Sequence, residues 1–285
     1  MACLFVEQLT VLDFSRLDRE RGLVGESWIV DLELEGELDE QSMVLDFGLA
    51  KRLAREAAED LADHKLLAPT RCGWVEISES AASGELHIEA PAAGLRLRSP
   101  GVAVCRLDAA EVTMPVLRRQ LEAHLATVMP ANVRRVRVGL REESTPGAYY
   151  HYSHGLKRHQ GNCQRIAHGH RSRIEIYTGG RRNDHWERHW AERWRDIYLG
   201  SAEDLVAETR LGDRPALRFA YLARQGEFEL EIWRDRCEVV PADTTVERLA
   251  AYIATELGRM DPGTAFRVRA YEGVQKGAVA EHKAS

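Results

Sequence analysis

Two histidines separated by one residue, His168 and His170, stand just before the alternating apolar pair Ile174 and Ile176. On an extended strand, residues i and i+2 face the same side, so both imidazoles can meet one ion. His154 closes a second extended segment, Tyr150-His151-Tyr152-Ser153-His154, and offers a third ring nitrogen. Three imidazoles leave the fourth tetrahedral position open, which is the arrangement of a catalytic zinc rather than a structural one. Cys163 lies between the two segments. A thiol near Zn2+ has its pKa lowered toward neutrality, so thiolate becomes available to abstract a proton. The same stretch holds Lys157, Arg158, Arg165, Arg171, Arg173, Arg181 and Arg182, either cations for an anionic substrate or a solvated basic surface.

The elements that must position these groups occur twice. Val136, Val138 and Leu140 alternate as in a half-buried strand closed by Glu142, and Phe266, Val268 and Ala270 lead in the same way to Glu272. Upstream of each strand is a helical pattern, with Leu117, Leu121 and Leu125 on one face in the first half and Leu249, Ile253 and Leu257 in the second. Thr113 with Pro115 suits the start of one helix, and Thr244 with Glu247 suits a capping box at the other. Glu85 to Arg98 and Leu217 to Trp233 read as hairpins. Ile29 to Leu34 and Arg173 to Tyr177 read as matching strands, each followed by glycine and then a helix. Leu49, Leu53, Ala57 and Leu61 mark the packing face of the first such helix, and Trp186, Trp190 and Trp194 that of the second. The chain is therefore expected to be a tandem of α+β modules, residues 1–146 and 147–285, joined near Thr145 to Ala148.

With 285 residues, 44% hydrophobic and 29% charged, the composition suits a globular chain and excludes collagen-like, coiled-coil and wholly disordered readings. No apolar run reaches the roughly 18–20 residues of a spanning helix, so no membrane partner is expected. A net charge of −6 with mixed signs offers no nucleic-acid footprint, which points to a small-molecule partner. Cys3, Cys72, Cys105, Cys163 and Cys237 are odd in number and scattered. They suit a reducing compartment, and with no signal-like start the expected location is cytoplasmic. Cys163 apart, the thiols read as small packing residues.

The aromatic-x-x-x-His segment, the run Cys163-x4-His168-Gly169-His170 and the strand after it resemble the 6-pyruvoyl-tetrahydropterin synthase and 6-carboxytetrahydropterin synthase family. The likeness extends to Ser42-Met43-Val44-Leu45-Asp46-Phe47, Ala62-Asp63-His64-Lys65-Leu66-Leu67, Thr245-Val246-Glu247-Arg248-Leu249-Ala250 and both closing glutamates. It implies two T-fold modules, each an antiparallel sheet with two helices on one face, assembling as a homo-oligomer into barrels with sites between subunits. By this resemblance His154, His168 and His170 match the zinc ligands, Cys163 the catalytic thiol, and Asp63 with His64 the acid–imidazole pair of the proton relay. Glu142 and Glu272 match the glutamate that anchors the pterin ring, and Thr245 with Glu247 a secondary pterin-pocket motif. The implied substrate is 7,8-dihydroneopterin triphosphate, and the implied product is 6-carboxy-5,6,7,8-tetrahydropterin, formed with loss of acetaldehyde and triphosphate, or 6-pyruvoyl-tetrahydropterin, formed with loss of triphosphate.

The two halves depart from the family pattern in complementary ways. In the first, Val24, Gly25 and Glu26 occupy the His-Gly-His position and Ser15 falls at the third histidine, so that copy is expected to hold no metal. The second keeps imidazoles and thiol but lacks an Asp-His-Lys-x-Leu run after its helix; Asp184-His185 falls at the helix start instead. One composite site and one Zn2+ per chain are expected. The competing reading is an inactive pterin- or purine-binding module or assembly partner.

Overall fold

The computed structural model describes residues 1–284. A long antiparallel pair opens the chain, β1 (Ala2–Asp18) and β2 (Gly22–Gly36). Helix α1 (Phe47–Ala62) begins where the Asp46 carboxylate accepts a hydrogen bond from Leu49 N. Then come β3 (Leu66–Pro69), β4 (Glu76–Glu79), β5 (Glu85–Ala90), β6 (Leu95–Pro100), β7 (Val104–Leu107), α2 (Met114–Val128) and β8 (Val133–Glu142). The second half repeats this order: β9 (Tyr149–His154), β10 (His168–Thr178), the short β11 (Arg181–Arg182), α3 (Asp184–Arg193), β12 (Ile197–Ser201), β13 (Leu205–Leu211), β14 (Arg214–Ala223) and β15 (Gly226–Trp233). It closes with β16 (Cys237–Val240), α4 (Val246–Met260), β17 (Phe266–Tyr271) and β18 (Gly277–His282).

One sheet runs β7-β3-β1-β2-β8 and another β16-β12-β9-β10-β17-β18, so the first five strands of each correspond one to one. The sheets are mixed rather than antiparallel throughout. β3 pairs parallel with β1 and with β7, and β12 pairs parallel with β9 and with β16. Each parallel pair is joined by a crossover: α1 or α3 carries the chain back between β1 and β3 or β9 and β12, and the hairpin strands β4–β6 or β13–β15 do so between β3 and β7 or β12 and β16. The intervening hairpins form a third sheet, β13-β14-β15-β6-β5-β4, joined across the two halves by antiparallel pairing of β15 with β6.

Helix faces follow the apolar spacing, with one revision. Leu117, Leu121 and Leu125 of α2 and Leu249, Ile253 and Leu257 of α4 are buried. In α1 the fully packed face is Ala50, Ala54, Ala57, Ala58 and Ala62, while Leu49 and Leu61 are half-buried at its margin. Small side chains let that helix sit close to the sheet. Trp190 and Trp194 are completely buried, and Trp186 packs edge-on against Phe266. Cys105 is buried, whereas Cys3 is exposed rather than packed. No helix among the described residues is long and apolar enough to cross a membrane.

The halves meet where β1 and β2 cross β9 and β10. Ser15 Oγ and Ser153 Oγ lie 2.6 Å apart at the crossing. Glycine is required on both sides: a Cβ on Gly169 would come within 2.6 Å of Ser15 Oγ and 2.7 Å of Gly25 Cα, and one on Gly25 within 2.6 Å of His170 N. This close approach delivers residues of the first half to the imidazoles of the second.

Candidate metal centre and proton-transfer pocket

In the β9–β10 ladder His154 pairs with His168, and Tyr152 with His170. All three imidazoles are buried, with ligand atoms within 4.8 Å of one another. Their partners set which ring nitrogen is available. His154 Nδ1 donates to the Thr244 carbonyl at 3.0 Å, and His168 Nδ1 donates to the Arg165 carbonyl at 2.9 Å. This assignment leaves Nε2 of each as a lone pair. His168 Nε2 is buried without a hydrogen-bond partner, and His154 Nε2 stands 3.2 Å from His170 Nε2. Tetrahedral Zn–N bonds of about 2.0–2.1 Å place ligand nitrogens roughly 3.3 Å apart, so the donor set fits such an ion. Burial, reinforced by the adjacent imidazoles, holds His154 and His168 well below the usual histidine range, in the neutral form that metals require.

His170 is held from the first half of the chain. Its Nδ1 lies 3.2 Å from Oδ1 of Asp13, a β1 residue only 2% exposed. Asp13 also accepts from Ser27 Oγ at 2.5 Å and pairs with Lys276 Nζ at 3.0 Å. Burial opposes its charge, yet His170, Lys276 and Ser27 together keep the carboxyl below the usual carboxylate range. A carboxylate behind a metal-ligand imidazole fixes the ring and raises its basicity. Sequence reasoning passed over Asp13; the available signal was a charged residue inside the apolar run Val11-Leu12-Asp13-Phe14.

The acid–imidazole pair arrives on the same crossing. α1 ends at Asp63, and His64 adopts a left-handed conformation (φ 53°) that turns the chain into β3. Asp63 Oδ1 accepts from Asp13 N at 2.9 Å, and Asp63 Oδ2 lies 2.5 Å from His64 Nδ1. His64, Cys163 and His168 present ligand atoms within 4.8 Å of one another. Burial disfavours the imidazolium of His64, but hydrogen bonds to Asp63 and then Cys163 outweigh it and push the group up to about 10. Cys163 sits in a one-turn 3-10 segment of the long β9–β10 connection. That connection is braced by the hairpin sheet: Tyr221 OH donates to the Gln164 carbonyl at 2.8 Å, and Gln225 N donates to Gln164 Oε1 at 2.7 Å.

The two candidate ring-anchoring glutamates separate. Glu272 Oε1 lies 3.9 Å from His170 Nε2, beside the imidazole cluster. Glu142 lies elsewhere, paired with Arg171 at 3.2 Å and opposite Trp28 in the ladder. Thr245 is the N-cap residue of α4 without a side-chain capping bond, and Glu247 is exposed, so the expected capping box does not form. Thr244 turns its hydroxyl to within 3.0 Å of His154 Nδ1 instead. Of the expected cations, Arg165 reaches the site, donating to the carbonyls of Asp63 and His64 at 3.3 and 3.4 Å. Lys157 and Arg158 pair with Glu203, and Arg182 pairs with Glu187. Arg173 stacks on Tyr271.

Strand register also revises the match for the third ligand in the first half. Ser15 pairs with Gly25 as Ser153 pairs with Gly169, so Ser15 corresponds to Ser153. The positions of His154, His168 and His170 are therefore taken by Arg16, Val24 and Glu26. Arg16 and Glu26 form an ion pair at 2.9 Å where the second half gathers imidazoles.

Fold and site together define a tandem α+β protein whose crossing sheets close a three-imidazole pocket of metal-ligand type. The family profile of 6-pyruvoyl tetrahydropterin synthase matches residues 15–152 and again 143–283, and the chain belongs to that family. No curated protein matches. Among solved structures, 6-pyruvoyltetrahydropterin synthase of Plasmodium vivax is similar, as a catalytic-residue mutant, at 18% identity and TM-score 0.38, over 49% of this chain and 90% of that one. The 6-pyruvoyl tetrahydropterin synthase of Plasmodium falciparum is similar at 13% identity and TM-score 0.40, with 49% and 90% covered.

Proposed function

We propose that the chain is a zinc-dependent lyase acting on 7,8-dihydroneopterin triphosphate, forming either 6-carboxy-5,6,7,8-tetrahydropterin with release of acetaldehyde and triphosphate, or 6-pyruvoyl-tetrahydropterin with release of triphosphate. On this reading residues 1–146 supply the proton-transfer pair and residues 147–285 supply the metal ligands and thiol. The chain works in solution as a homo-oligomer built around T-fold barrels. The observation that supports it most is the meeting of Cys163 and His168 with His64, groups from opposite halves, within 4.8 Å.

His154, His168 and His170 would hold the ion. Bound there with one position open, Zn2+ supplies Lewis acidity toward the hydroxyls of the substrate side chain. The chain's own residues do the rest. Glu272 accepts hydrogen bonds from the amino group and ring N–H of the pterin, which holds the side chain beside the imidazoles. Cys163 takes the carbon-bound proton as thiolate. His64, oriented by Asp63 through Nδ1 and within 4.8 Å of Cys163, exchanges the proton with the thiol. Arg165 brings a guanidinium to the same wall for the anionic tail.

The test combines elemental analysis with product identification by mass after incubation with 7,8-dihydroneopterin triphosphate. The purified protein is expected to hold about one zinc per chain and to release triphosphate. Cys163→Ala and His64→Ala are each expected to lower turnover at least 100-fold while keeping the metal. Full activity in the His64 variant would show that the first half takes no part in catalysis, and a protein without zinc and without turnover would favour a binding module.

A further inference from the structure

A large cavity of about 1190 Å³ opens on the opposite side of the sheet crossing, and none of the imidazole ligands, Cys163 or His64 lines it. Strand register shows what this cavity is. Arg16 and Glu26 line it at the positions equivalent to His154 and His170, as derived above. Glu142 lines it at the end of β8, as Glu272 follows β17 at the other site. Thr113 lines it at the head of α2, as Thr245 heads α4. Asp196 lines it with φ 52° just before β12, matching His64 with φ 53° just before β3. By strand register the cavity is the counterpart of the candidate catalytic pocket, with Ser15 and Ser153 at equivalent positions in contact between the halves.

Its contents differ in a consistent way. An internal ion pair, Arg16 with Glu26, replaces the metal-ligand set. The β1–β2 turn spans only residues 19–21, whereas residues 155–167 join β9 to β10, so the thiol-bearing loop has no counterpart and the pocket is roomy. Proton-transfer chemistry is gone, yet the features that grip a ligand remain. Glu142 offers carboxylate acceptors into the cavity, its side chain 45% exposed and Arg171 seated behind it. Trp74 and Tyr149 supply aromatic lining, the Tyr149 ring backed by the Arg171 guanidinium 3.9 Å from its centroid. Arg71 and Arg195 stand at the rim, each engaged only in a solvent-exposed ion pair, the kind that is cheap to exchange for a ligand anion.

From this geometry we propose that the first-half pocket is a second, non-catalytic binding site for an amino-oxo-pteridine carrying an anionic tail, the same ligand class handled by the metal-bearing site. Its ring lies between aromatic walls with N–H groups on Glu142, and its tail reaches the rim guanidiniums. At about 1190 Å³ the cavity lies somewhat above the roughly 300–1,000 Å³ of pockets for small organic molecules, so it admits such a ligand with room to spare. The assignment of ligand class rests on the functional reading above; the existence of the pocket does not.

The test is calorimetric titration of the zinc-loaded full chain with neopterin triphosphate, whose oxidised ring is not the reacting form. Two equivalents per chain are expected, one lost in Glu142→Gln and the other in Glu272→Gln, with Kd raised at least 10-fold in each affected site. Zinc content and thermal melting of both variants check that they remain folded. A single equivalent lost only in Glu272→Gln overturns this inference and leaves the functional reading standing. A single equivalent lost only in Glu142→Gln supports the inference and overturns the catalytic reading. No binding at all overturns both.

Discussion

His170 is the residue on which the two halves depend most directly, because its two ring nitrogens face different halves of the chain. Nε2 joins His154 in the second half, and Nδ1 meets Asp13 of the first, which Ser27 and Lys276 also hold. A carboxylate in that place would act on a bound metal through the imidazole, as a positioning residue. Asp13→Asn keeps the shape and removes the charge. It is expected to weaken zinc binding by about 10- to 100-fold in a chelator competition, the usual scale for loss of such a partner. Unchanged affinity would mean that His170 is oriented by packing alone.

The crossing of β1 and β2 over β9 and β10 is where the elements are least tolerant of change. Ladder register puts a glycine at each side of the contact, and a Cβ on Gly25 would collide with the Tyr152 carbonyl and the His170 amide. Main chain cannot rotate away as a side-chain tip can. Gly25→Ala is therefore expected to destabilise the fold by roughly 3 kcal/mol, at the upper end for overpacking. Gly73→Ala, where a Cβ would meet nothing within 4 Å, is the control and is expected to stay within about 0.5 kcal/mol. Denaturant titration reads both. Equal stability in the two variants would show that the sheets separate easily at the crossing.

Across the whole molecule, the halves share a core as well as a site. The hairpins pair β6 with β15 into one sheet. Beneath it, Leu17, Leu66 and Ile88 pack in one cluster with Tyr198, Phe219 and Phe228. Separating the halves would expose both sides of that cluster, so neither is expected to open alone. Scanning calorimetry of the full chain should give a single transition with equal calorimetric and van't Hoff enthalpies. Two resolved transitions would show that each repeat has an independent core and that the shared sheet adds little.

Much of this was legible in the chain itself because it is local. Period-two alternation marked β8 and β17, i, i+4 spacing marked α2 and α4, and a His-x-His before a strand put two imidazoles on one face. The inner face of α1 was misread because alanines, too small to dominate a hydrophobic pattern, pack where the leucines were expected. What the fold alone decides are relations that depend on a partner far away in sequence: Asp13 behind His170 and Glu142 parted from Glu272, while the nearness of His64 to Cys163 was expected from the family resemblance and not from spacing. Spacing along a strand or helix can state which way a side chain faces. Which group it faces across 100 residues or more is set by strand register and by two glycines that let the sheets touch, and neither leaves a periodic trace.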